Sequence, residues 1–128
     1  ILASSWMPLL YFVLPQFYGK TLHKLVAFTQ HAGLARNIKD HRVTSREMYL
    51  NPILSFLYWK MEYHLTHHMF PTVPSYNLDK LHHHIKDQLP KPNDGLIDAY
   101  KEIIPALMKQ KEDTSYFIKK ELPEPQNI

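Results

Sequence analysis

A chain of 128 residues holds one domain of ordinary size. With 45% hydrophobic and 21% charged residues it is neither a disordered polyampholyte nor a wholly apolar membrane protein, and without cysteine it has no disulfide, thiolate nucleophile, Fe–S cluster or cysteine zinc site. A net charge of +3 without any basic run leaves no electrostatic footprint for nucleic acid, whereas nine histidines against six phenylalanines raise the question of a metal.

Ile1 to Gly19 carries no charge, and 13 of its 19 residues are hydrophobic. That approaches the ~20 residues that cross a bilayer. Trp6, Tyr11 and Tyr18 suit interface positions, and Pro8 and Pro15 are tolerated where neighbouring helices cover the freed carbonyls. Residues 1–19 are therefore expected to be the end of a transmembrane region, the alternative being a buried helix of a soluble bundle. The start at Ile1, with no initiator methionine, predicts a piece of a longer chain. Lys20 to Tyr63 then holds seven basic and three acidic residues, and basic residues directly after an apolar segment assign that side to the cytoplasm.

Leu22, Leu25, Val26, Phe28 and Leu34 fall near helical spacing, which predicts a helix from Lys20 to about Asn37. Ile38 to Met48 is polar and reads as a loop or short turn. Asn51-Pro52 is a helix start, with an N-cap oxygen followed by proline at the first helical position. The apolar run from Ile53 to Tyr63 extends that helix to about Met69, and Pro71 stops it. After an irregular stretch to Tyr76, Asn77 caps a helix over 78–89. Asp94 caps another over 96–110, kinked at Pro105. Residues 20–110 thus read as a helical portion, and 111–128 as an extended, solvated tail. No stretch alternates with period two, so the class is all-α.

His64, His67 and His68 stand at spacings of three and four, which places them on adjoining positions of one helical face. Neutral imidazole ligates Fe, Zn and Cu, and Glu62 and Thr66 are near enough in sequence to orient the rings. A polar surface patch is the plain alternative. His31 lies among small residues and, on its own, reads as a core histidine or a ligand. His23 and His41 read as solvent-facing. His82, His83 and His84 point three ways at about 100° per residue, so only His82 can face the cluster. There is no zincin helix, nucleophile elbow or phosphate loop, and Mg²⁺ and Ca²⁺ want oxygen ligands. Iron and zinc remain.

The strings Thr29-Gln-His-Ala-Gly-Leu34, Asn51-Pro52, Phe56-Leu-Tyr-Trp59 and Glu62-Tyr-His-Leu-Thr-His-His-Met-Phe-Pro71-Thr-Val-Pro74 resemble the C-terminal part of the membrane fatty-acid desaturase and hydroxylase family. That family has three histidine boxes, HxxxH, HxxHH and (H/Q)xxHH, bound to two irons on the cytoplasmic side of a transmembrane helical bundle. His64-x-x-His67-His68 matches the third box, and His31 matches the additional ligand position upstream of it. The resemblance implies a bundle with a cytoplasmic helical cap and O₂-dependent removal of hydrogen from an unactivated C–H bond of a fatty-acyl or lipid substrate. It implies the ligands His31, His64, His67 and His68, and an electron donor such as a ferredoxin, a Rieske-type protein or cytochrome b5, docked on the basic Lys20–Tyr63 section. Phe56, Leu57, Trp59 and Met61 line the acyl route or pack a core. The first two boxes are absent, so the chain is expected to be a C-terminal fragment, inactive alone. The competing reading is a helical, membrane-associated zinc-binding module without redox chemistry.

Overall fold

A computed structural model describes residues 5–124 of the chain. Met7 and Pro8 are already helical, and a π turn at Leu9–Val13 leads from them into α1, Leu14–Thr29. Proline at 15 removes a backbone donor and crowds the carbonyl of the preceding turn. The widened turn, in which Leu14 N–H reaches Leu9 O, accommodates it. Trp6, Tyr11, Phe12, Phe17 and Tyr18 stand exposed along this stretch. No helix among the described residues is long and apolar enough to cross a membrane, and Ile1 to Ser4 of the expected membrane segment lie outside them.

The remaining helices are α2 (His41–Thr44), α3 (Pro52–Leu57), α4 (His64–Met69), α5 (Leu78–Ile85) and α6 (Leu96–Glu112), with 3₁₀ turns at Ser75–Asn77 and Lys86–Gln88. The expectation of a helical fold without strands holds: among the described residues the only β pairing is a single parallel bridge, Met48 to Asn93. Val26 of α1, Ala32, Met48, and Ala99 and Ile103 of α6 form the core, with Leu50, Tyr58, Leu96 and Leu107 packed against it.

α1 starts at Leu14 rather than Lys20, α5 ends at Ile85 rather than Leu89, and Gly95 rather than Asp94 holds the cap position of α6; two further differences bear on the site. The first helix ends at Thr29 rather than near Asn37, because the chain turns through Gly33 at φ 75°. The carbonyls of Thr29 and Ala32 that this turn frees are taken by the guanidinium of Arg46, which is 2% exposed. The second difference splits the expected helix from Asn51 to Met69. Asn51 does cap its start, accepting from Leu54 N–H at 2.9 Å, yet α3 closes after six residues. Lys60 N–H bonds Ser55 O at 2.9 Å and Trp59 N–H bonds Phe56 O at 3.1 Å, the paired pattern of a Schellman closure. The position that glycine usually fills is Trp59, at φ 57°, followed by Lys60 at the same φ. Each left-handed non-glycine residue costs about 1–2 kcal/mol. The ion pair from Lys60 Nζ to Asp79 of α5 helps hold the corner.

After α6 the chain runs extended. Ile118 N–H donates to Gly33 O at 2.8 Å, and Lys120 Nζ meets both carboxylate oxygens of Glu102 at 2.8 and 2.9 Å. Pro105 is inside α6 without ending it.

Candidate metal centre

α4 carries three of the four expected ligands. Its backbone is fixed from beneath by Glu47, whose carboxylate is buried and accepts from Thr66 N–H at 2.8 Å and from Thr66 Oγ1 at 2.5 Å. Thr66 is fully buried between His64 and the His67–His68 pair, so the same bonds that hold it set the facing of all three rings. His31 comes from the turn after α1. Its Nδ1 stands 2.8 Å from the carbonyl of Thr44 at the end of α2. A carbonyl only accepts, so the ring proton sits on Nδ1 and Nε2 keeps its lone pair free.

Those free faces converge. His31 Nε2 is 3.0 Å from His64 Nε2, and His64 Nε2 is 2.9 Å from His68 Nε2. All three residues present nitrogens within 4.8 Å of one another. Two imidazole nitrogens, each ~2.1 Å from one ion and at about 90° to each other, lie ~3.0 Å apart, so the spacing fits a shared metal ion. The electrostatics agree. Burial, then the neighbouring His68, His31 and His67, pushes the His64 imidazole down to about 3, and burial likewise lowers His68. His64 is thus neutral at physiological pH, the state a metal requires of it. Its Nδ1, which carries the proton when Nε2 faces the cluster, is buried without a partner among the described residues, and a second N–H on an imidazolium would add to that cost.

His67 is not gathered with these three. Its ring centroid lies 6.3 Å from that of His64 and 6.1 Å from that of His68. Glu62 and Thr66 do not reach the ring nitrogens: the Glu62 carboxylate accepts from Ser55 Oγ, and Thr66 is engaged by Glu47. The groups that orient the site are instead the Thr44 carbonyl and Glu47. The first is a backbone atom and leaves no trace in a sequence. The second is one acid in a mixed polar stretch, legible only once α4 is seen above it.

His41, expected in solvent, is exposed yet stacks on His68 with centroids 5.2 Å apart and planes at 20°. His82 turns away from the cluster and is buried, with Nδ1 2.9 Å from Glu47 Oε2 but off the hydrogen-bond direction. His23 packs on Tyr58, and His83 and His84 are exposed. A groove of about 620 Å³ opens beside the imidazoles, lined by His31, His41, His68, Phe28, Arg36 and Ile38. A second, of about 700 Å³, runs between Phe56, Trp59, Tyr63 and Tyr76.

Residues 1–100 match the family model described as "Fatty acid desaturase". The chain belongs to the fatty acid desaturase family. Comparison with curated proteins and with solved structures returned no match. The resemblance carried by His64-x-x-His67-His68 and its flanks is therefore borne out at the level of the family, and with it a desaturase-like, oxidoreductase-type function. Desaturases of this family are membrane-associated and di-iron, and the imidazole triad is a donor set suited to such a metal.

Proposed function

We propose that this chain is the C-terminal part of an O₂-dependent di-iron membrane desaturase or hydroxylase acting on a fatty-acyl or lipid substrate. His31, His64 and His68 would hold one iron, and His67 would contribute to the other. When bound, such an iron pair supplies the activation of dioxygen needed to remove hydrogen from an unactivated C–H bond. The convergence of three imidazoles, with burial keeping His64 neutral and no carboxylate among the gathered donors, is the observation that carries this reading.

The chain's own residues do the rest. His31 donates its Nδ1 proton to Thr44 O and so presents Nε2 to the cluster. Glu47 fixes Thr66, and through it the facing of His64 and His68. Four imidazoles are too few for two irons, so HxxxH and HxxHH ligands must come from elsewhere in the full-length protein, and this stretch alone would be inactive. The apolar groove at Phe56 and Trp59 suits an acyl chain or lipid. Arg36 stands exposed in the lining of the histidine groove and Lys39 is exposed three residues on, while Arg42 is neutralised by Asp40 at 2.8 Å. Arg36 and Lys39 therefore carry the docking charge for an acidic electron donor such as a ferredoxin, a Rieske-type protein or cytochrome b5, on the cytoplasmic face.

Metal analysis of the full-length protein tests the proposal. Two irons per chain are expected, and each of His31→Ala, His64→Ala, His67→Ala and His68→Ala should lower that number. One zinc per chain with no iron would establish the non-redox zinc module instead. Unchanged iron in all four variants would remove the ligand assignment.

A further inference from the structure

We propose that the segment Tyr116–Lys120, together with Glu102 and Arg46, positions His31 as a metal ligand, although residues 101–128 lie beyond the part of the chain that the family model matches. The inference rests on the ligand reading of His31 above.

His31 is held by a short turn rather than by helix. α1 ends at Thr29, and residues 30–33 carry His31 past the end of its hydrogen-bond ladder. Two arms hold that turn. Ile118 N–H donates to Gly33 O at 2.8 Å, and Ile118 lies so close that a Cβ on residue 33 would stand 2.8 Å from its Cδ1. Arg46 forms the other arm. It is buried, and its Nη1 donates to Ala32 O at 3.0 Å and to Thr29 O, on either side of His31.

The arms share one carboxylate. Arg46 Nε donates to Glu102 Oε2 at 3.3 Å, and Lys120 Nζ, two residues beyond Ile118, contacts both Glu102 oxygens at 2.8 and 2.9 Å. Glu102 also accepts from Asn93 Nδ2 at 3.2 Å. The result is a closed circuit of His31 turn, Arg46, Glu102, Lys120, Ile118 and back to the turn through Gly33. A buried guanidinium without its carboxylate is costly, so loss of Glu102 unsettles Arg46 and the two carbonyls that flank His31. Outer residues that orient a ligating histidine typically alter metal affinity 10–100-fold.

The test measures Fe²⁺ affinity of the full-length protein in detergent under anaerobic conditions, for Glu102→Gln and Lys120→Met in the native background and in the His31→Ala background. We expect each substitution to weaken binding about tenfold when His31 is present and less than twofold when it is absent. A general destabilisation would weaken both backgrounds alike, and that outcome overturns the inference. Lys120→Met removes one cation while keeping the length of the side chain and leaving Arg46 its carboxylate, so it decides the matter if Glu102→Gln fails to fold. If His31→Ala alone leaves affinity unchanged, the ligand reading of His31 fails. If His31→Ala weakens binding while the other two substitutions do not, the ligand reading stands and only this inference falls.

Discussion

Glu47 is where the folding of this chain and its metal site depend on the same atoms. Replacing it with alanine would strand Thr66 N–H and Oγ1, both fully buried, and open a space beside His82. Each buried donor left without an acceptor costs about 1–3 kcal/mol, and a charged acceptor stands at the upper end of that range. With the void added, the expected loss for Glu47→Ala is about 4 kcal/mol. Glu47→Gln keeps an oxygen for both Thr66 donors and fills the same space, so its expected loss is about 1 kcal/mol. Guanidinium denaturation followed by far-UV circular dichroism separates the two, with the slope as a check that both variants unfold from equally compact states. The order alanine far below glutamine, glutamine near native, is the expected result. Equal loss for the two variants would show that charge, not the acceptor, holds α4. A loss under ~1 kcal/mol for Glu47→Ala would show that Thr66 is held by something else.

Two further predictions concern the turn that carries His31. Gly33→Ala meets both a left-handed backbone at φ 75° and the Ile118 side chain at 2.8 Å, so it should cost about 2 kcal/mol in thermal unfolding. Pairing it with Ile118→Ala should recover the steric part but not the backbone part. Burial alone would raise the Glu102 carboxyl, but Lys120, Arg46 and Asn93 outweigh it and hold the folded-state value below the ordinary 4.5. A carboxyl lowered on folding stabilises fully above its unfolded value and loses that contribution as pH falls through the folded one. Unfolding midpoints should therefore decline below about pH 4.5, and Glu102→Gln should flatten that part of the profile; an unchanged slope would refute the assignment.

The helical class, the Asn51 cap and the stop near Pro71 were legible because each rests on local chemistry: a side-chain oxygen, a missing N–H, a period. The spacing of His64 and His68 likewise fixes a shared face before any tertiary contact is known. What the sequence concealed lies in tertiary placement. Trp59 occupies a position that glycine would have announced, so the corner between α3 and α4 carried no punctuation. Arg46 lies in the polar stretch Ile38–Met48 that reads as a loop, yet it is buried against the carbonyls that end α1. The meeting of His31 with His64 spans 33 residues of chain and depends on the Thr44 carbonyl, which no side-chain pattern reveals.

The corner at Trp59 and Lys60 has a mechanical consequence. A continuous rod from Asn51 to Met69 would act as a lever, passing any tilt of its greasy end straight to the imidazoles at the other. Two abrupt left-handed steps cut that rod in half, so the apolar piece can follow its surroundings while the ligand-bearing piece takes its bearing from Glu47 and Thr66.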